Sequence, residues 1–449
     1  MPHPLLSVHR FVLAVAALLL LYSISGARAG EPIVKVQRIQ SPAGIEIWYV
    51  QEANIPVISL SLGFRGGTVL DPPEKSGLAN FALGLLDEGA GELDSLAFQK
   101  AVIDRAIRLN SNASRDLVTV SLQTLTRNRD QAFKLLGMAL GDAHFDAKPV
   151  ERVRNQILNI LADEERNPRS IAARTWFGDV FKNHPYARRS NGTEETIRAI
   201  TRGDLKDWAR GRFARDNLIV GASGDVPAEE IARLVDIALA DLPARAAGAS
   251  VPEAAFPETG ATVVVRMPLM QSIVVFGLPG LKRDDADFYA AYVMNYILGG
   301  GGFTSRLYEE VREKRGLAYS VYSYLAPLEY AGLYMGGVAT RNDGVAETLD
   351  IIRAEIALMA KDGVSAEELS VAKQYLTGAF PLRLDSGGKV AGILVQMQFE
   401  FLGIDYLDRR NGYMEAVTRA DIIRVAGRLL NPDRMRIVVV GDPKDLQGS

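Results

Sequence analysis

The 449-residue chain contains no cysteine and only four histidines, His3, His9, His144 and His184. Without cysteine there is no disulfide, no thiolate metal ligand, no thiol nucleophile and no acylated lipoprotein anchor, so hydrophobic burial must hold the fold together. Two histidines fall in the first nine residues and the other two are 40 positions apart. No pair therefore has the i, i+4 spacing that places two imidazoles on one helical face. A basic excess is also missing, since 51 Lys and Arg face 54 Asp and Glu. Nothing in that balance points to nucleic acid or to an anionic membrane as partner.

Only one long apolar run is present, FVLAVAALLLLYSI (Phe11–Ile24). It follows Arg10, falls short of the ~20 residues of a spanning helix, and is followed by the small-x-small triplet Ala27-Arg28-Ala29. Residues 1–29 are expected to be a cleavable signal peptide and the mature protein periplasmic or secreted in a bacterium. Loss of Arg10 and Arg28 would leave 49 basic against 54 acidic side chains.

The chain repeats itself. AITRGDL (Ala199–Leu205) returns 217 positions later as AVTRADI (Ala416–Ile422), and Gly224-Asp225 returns at the same offset as Gly441-Asp442. NQIL (Asn155–Leu158) is echoed by KQYL (Lys373–Leu376). Echoes in one order at nearly one offset predict two copies of one domain, at 30–242 and 261–449. The Ala- and Pro-rich stretch Asp241–Gly260 is expected to be a largely unstructured linker, with its core at 243–260.

Each copy mixes strands and helices. VISLSLGF (Val57–Phe64), SIVVFGL (Ser272–Leu278) and the alternating LVTVSLQTL (Leu117–Leu125) read as strands. SLAFQKAVIDRAIRL (Ser95–Leu109) reads as a helix with Leu96, Val102, Ile103, Ala106 and Ile107 on its apolar stripe, and FYAAYVMNYIL (Phe288–Leu298) as a helix that breaks at four glycines. Grouped strands with helical pairs between them favour an α+β class.

LGGGGFTSRL (Leu298–Leu307) has the glycines of a phosphate cradle. It follows a helix, however, and lacks the adjacent lysine, so it reads as a tight turn with Thr304 or Ser305 capping the next helix. Farther on, VREKRGLAYSVYSYL (Val311–Leu325) puts Arg312 at a helix end, Gly316 at its terminus and Tyr319 at the start of a strand. Both side chains are donors suited to a carbonyl becoming an oxyanion. On this segment alone the plainer reading, an exposed Arg beside a half-buried Tyr, is the preferred one.

The chain as a whole resembles the M16 peptidase family, which includes pitrilysin, insulin-degrading enzyme, mitochondrial processing peptidase and respiratory core proteins. The resemblance is carried by LGGGGFTSRLYEEVREKRGLAYSVYS, HPYARRSNGTEETI (His184–Ile197), FQKAVIDRAIRLNSNASRD (Phe98–Asp116) and GLANF…LLDEGAG, and runs from about Val34 to Asp442. It implies two homologous α+β domains (LuxS/metallohydrolase-like) facing each other across a cleft. Active members hold zinc with His-x-x-Glu-His and a downstream Glu. Against that pattern GLANFALGLLDEG puts Asn80 at the first His, Leu83 at the Glu and Gly84 at the second His, and the downstream Glu falls on Ile160. No metal site of that kind is expected in this chain. By the same resemblance, Arg312 and Tyr319 match an Arg-x6-Tyr pair that stabilises the transition state, and Gly300, Gly301 and Gly302 let backbone approach an extended peptide bound at a sheet edge.

The role implied is the zinc-less subunit of a heterodimeric peptidase, with Zn in the partner subunit. The alternative is a scaffold or peptide-holding homologue with no peptidase role, like the respiratory core proteins. A self-sufficient zinc peptidase is set aside by the ligand count. His144 and His184 are expected to serve structure.

Overall fold

Edge strands and capped helices organise the molecule around two sheets. The computed structural model of the protein describes residues 34–248, 250–444 and 446, so the expected leader lies outside the described residues. The first half contributes β1 (Gln37–Gln40), β2 (Glu46–Gln51), β3 (Val57–Arg65), a two-stranded ribbon β4 (Gly89–Ala90) and β5 (Leu93–Asp94), then β6 (Arg108–Ala113), β7 (Leu117–Leu125) and β8 (Leu218–Gly224). The second half contributes β9 (Ala261–Arg266), β10 (Gln271–Pro279), β11 (Ala318–Pro327), β12 (Gly332–Arg341) and β13 (Arg436–Gly441).

Sheet order is β1-β2-β8-β3-β7-β6 in the first half and β11-β12-β10-β13-β9 in the second. Apart from β1 the two orders are the same when one is read backwards, and in each the pair at one side (β2 with β8, β9 with β13) is the parallel one. The duplication is therefore structural. The echo AITRGDL/AVTRADI has a physical content as well. Thr201 and Thr418 are N-caps of the helices Arg202–Arg212 and Arg419–Leu429, each closed into a capping box by the aspartate three residues on.

The alternation in Leu117–Leu125 holds, with Val118, Val120 and Leu122 buried and the residues between them partly exposed. The Ser95–Leu109 helix needs correction. It ends at Ile103, Ala106 takes a positive φ of 51°, and Arg108 already belongs to β6. Phe98 carries the packing of this helix while Leu96 and Ile103 are exposed. The chain must turn here to place β6 at the sheet edge, and that demand overrides the local periodicity. The described part of 243–260 contains no helix or strand, but Ala254 N donates to Tyr330 O at 2.8 Å.

Each half lends the other a helix. Pro168–Val180 from the first half lies on β10 and β13 of the second sheet, and Gly387–Phe399 from the second half lies on β3 and β8 of the first. Trp176 is fully buried there, and its indole Nε1 donates to Arg436 O at 3.0 Å. It sits on Gly277, where a Cβ would fall inside the indole. In the other direction Gly221 and Gly63 open the sheet to Ala391 and Val395. The hairpin tips also meet, for Asp116 accepts from Tyr186 OH at 2.6 Å and from Glu329 N at 3.1 Å. Among the described residues no helix is long and apolar enough to cross a membrane.

Candidate functional site

Arg312 and Tyr319 are brought together by three local irregularities. The first is at the glycines, where the helix Phe288–Asn295 passes into a π-helical turn Tyr296–Gly300 and a 3-10 turn Gly302–Thr304. Ser305 stands at the N-cap of the next helix, Arg306–Tyr308, as expected, but neither its hydroxyl nor that of Thr304 makes the capping bond. The Thr304 and Ser305 hydroxyls donate back to Gly301 O at 3.1 Å and Gly302 O at 2.8 Å, tightening the glycine turn. The second is a π-helical turn at Glu309–Glu313, which carries Arg312. It ends as expected at Gly316, whose φ is 61°, with Gly316 N donating to Arg312 O and Leu317 N to Val311 O.

The third is a bulge in β11. The β11–β12 register runs from Ala318↔Thr340 to Val321↔Val338, so Tyr319 and Ser320 oppose a single residue. Both side chains are exposed as a result, Tyr319 to 81%. The strand is held from behind by Tyr334 OH, which donates to Ser323 Oγ at 2.7 Å, and by Ser323 Oγ, which donates to Asn295 Oδ1 at 2.8 Å.

The Arg312 guanidinium lies 4.7 Å from the centre of the Tyr319 ring, 4.8 Å from Tyr308 and 5.6 Å from Phe303. Three rings therefore orient it through their faces, each such contact worth about 0.5–1 kcal/mol at an exposed site. Its nearest acid is Glu313, at 3.8 Å. The N–H groups of Arg312 and the hydroxyl of Tyr319 make no hydrogen bond among the described residues, and both remain available as donors. The Tyr308 hydroxyl is buried without a partner. Phe303 and Tyr308 were missed by sequence reasoning. Tyr308 had a signal, being one helical turn before Arg312; Phe303 had none beyond its place in the quoted motif.

At the glycines, a Cβ on Gly300 or Gly301 would meet the chain's own Asn295 and Tyr296, whereas Gly302 (φ 57°) faces open space.

The degenerate zinc positions have other uses. The helix is only Leu78–Leu83, followed by turns. Asn80 Nδ2 donates to Ser190 O at 2.9 Å and Asn191 Oδ1 at 3.0 Å. Leu83 is packed in the core with Phe81, Leu85 and Leu86. A Cβ on Gly84 would press on Val153 at 3.3 Å, and Ile160 is half exposed on the helix Ala147–Glu164. The nearby carboxylate of Glu164 accepts from Asn191 Nδ2 at 2.7 Å. This set offers an amide already spent, an aliphatic side chain, no side chain, and another aliphatic, so it does not fit zinc. Among the described residues no group of three His, Asp or Glu side chains is arranged for a metal ion. His144 Nε2 contacts Gly91 O at 2.6 Å, and His184 Nδ1 accepts from Tyr186 N at 3.1 Å.

A two-domain α+β chain with a degenerate zinc helix in one half and an Arg–Tyr pair in the other defines a class. Residues 47–194 match the profile of insulinase, peptidase family M16, and residues 199–376 match that of the peptidase M16 inactive domain. The chain is 30% identical to the non-peptidase homolog YmxG of Helicobacter pylori, over 76% of this chain and 79% of that protein. It belongs to the M16 family.

An uncharacterized zinc protease of Streptomyces coelicolor is 29% identical, over 92% of this chain and 91% of that one. A crystal structure of a peptidase M16 inactive domain from Pseudomonas fluorescens superposes with a TM-score of 0.86 at 29% identity, covering 92% of this chain and 99% of that one. The chain is thus an inactive M16 homologue without a catalytic zinc of its own.

Proposed function

We propose that this protein is the non-catalytic subunit of an exported two-chain zinc peptidase. It docks against a zinc-bearing M16 subunit, holds an extended peptide at a sheet edge, and presents Arg312 and Tyr319 to the scissile carbonyl across the shared chamber. The observation that carries this reading is the exposed Arg312–Tyr319 pair, oriented by aromatic rings yet with its donors unspent, on a chain whose own zinc positions cannot bind metal. A scaffold would have no need of two aligned, unsatisfied donors at a bulge. The helix exchange supports the reading too. It packs this chain's two halves directly together, an arrangement that suits a chamber completed by a second molecule.

The test is co-production with the zinc-bearing M16 chain of the same organism and steady-state peptide hydrolysis. Arg312→Ala and Tyr319→Phe should each lower kcat by ~10²–10³ while the complex still assembles, the usual cost of removing one oxyanion donor. Full activity in both variants would refute the transition-state role. Hydrolysis by this chain alone with stoichiometric zinc would refute the whole assignment.

A further inference from the structure

Away from Arg312, the second half forms a half-open pocket of about 220 Å³. It lies between the helices Phe288–Asn295, Gly387–Phe399 and Tyr406–Ala416 and the short 3-10 segment Phe380–Leu384. Its wall is mostly carbon, from Phe288, Tyr292, Phe380, Ile393, Met397 and Met414. Three guanidiniums, Arg283, Arg383 and Arg410, and one carboxylate, Glu400, share it.

The charges do not cancel. Glu400 is fully engaged, with one oxygen accepting from Arg283 Nε at 2.9 Å and the other from Gln396 Nε2 at 2.6 Å. Arg410 is only 4% exposed and forms no ion pair among the described residues. Its Nη1 donates to Leu376 O and to Asn411 Oδ1, both at 3.1 Å, and its plane lies 4.1 Å from the Phe380 ring. The carbonyl end of the Ala366–Gly378 helix partly offsets the cation, but Nε and Nη2 carry no hydrogen bond among the described residues. Arg383 stands at the exposed 3-10 segment, also without an ion pair. A buried guanidinium without an anion is costly, and a planar carboxylate is its geometric complement.

We propose that this cavity binds a small amphipathic monocarboxylate, its carboxylate on Arg410 and its apolar body among Phe288, Phe380, Met397 and Met414. The cavity is below the ~300–1,000 Å³ of drug-sized pockets, which limits the ligand to a short acyl or arylalkyl acid. The Gly387–Phe399 helix lines the cavity with Ile393 and Met397 and packs on the first sheet with Ala391 and Val395. An occupied cavity therefore braces the joint between the halves.

The probe is 3-phenylpropionate, with 3-phenylpropionamide as its uncharged isostere, titrated into the full chain by calorimetry and by methyl NMR. The acid should bind at least about tenfold more tightly than the amide, the discrimination expected of a charge-assisted pair, with contacts to the Met397 and Met414 methyls. Arg410→Gln should bring the acid down to the affinity of the amide. If that variant does not fold, Arg410→Lys should narrow the acid-to-amide ratio without abolishing it. Equal binding of acid and amide by the unaltered protein, no binding of either at millimolar concentration, or contacts that miss both methionines would each overturn the proposal.

Discussion

Leu83, which the family resemblance sets against the zinc-helix glutamate, is a core residue, and its burial makes an acid there costly. Leu83→Glu would bury an ionisable group with no partner and should destabilise the fold by about 3 kcal/mol or more, measured by urea denaturation. Asp71 is a buried carboxylate in this same region. Its carboxylate accepts from Gly77 N at 3.0 Å and Ala79 N at 3.2 Å, at the start of the helix that carries Asn80. Burial pushes its pKa up from 3.8 to about 7, against the pull of those amides and of Arg212 and Arg188. The folded protein thus holds this proton more tightly than the unfolded chain. The stability it gives is fully present below about pH 4 and is lost as pH rises through about 7. Asp71→Asn should flatten that slope between about pH 4 and 7 in thermal melts; an unchanged slope would place the titration elsewhere.

The exchanged helices make their predictions at the level of elements. Gly277→Ala sets a methyl inside the Trp176 indole and should cost about 1–3 kcal/mol, the usual range for overpacking. In the other sheet, Gly221→Ala should be at least as costly, because there the added carbon meets the Ala391 carbonyl, which cannot swing aside. Each capping box is an independent unit. Thr201→Ala and Thr418→Ala should each lose about 1 kcal/mol, and the double variant about the sum, since the two lie in different halves. Additive loss in chemical denaturation checks this. The glycine turn and the β11 bulge belong to this scale as well. The bulge aims Tyr319 outward, while the π-helical turn Glu309–Glu313 that follows the glycine turn carries Arg312.

For the whole molecule, reciprocal helix exchange ties the two domains into one cooperative structure. The described residues from Val36 onward form a single compact unit, although the sequence reads as two copies. Calorimetry should give one unfolding transition. The halves 30–242 and 243–449, produced separately, should each aggregate, because each leaves a sheet face bare and a helix without its sheet. Two separate transitions, or a soluble folded half, would show that the exchange is dispensable. The same coupling makes the Arg410 cavity relevant to the joint, since one helix serves both.

The sequence by itself determined the duplication, the α+β class, the lack of any histidine pair at helical spacing and the Arg312–Gly316–Tyr319 spacing; the zinc positions came from the resemblance to the M16 family. These rest on residue identity, on periodicity and on one repeated offset, and identity decides whether a metal can be ligated. It misread the stretch Ser95–Leu109, where a strand must begin, and it did not show that the hydroxyls of Thr304 and of the N-cap Ser305 turn back to the glycines. Only the tertiary structure decided that Arg312 is framed by Phe303, Tyr308 and Tyr319, that each half is roofed by a helix of the other, and that Arg410 is buried without an anion. Those facts depend on which distant surfaces meet. The periodicity of a segment records that it has an apolar face, and not which partner covers it.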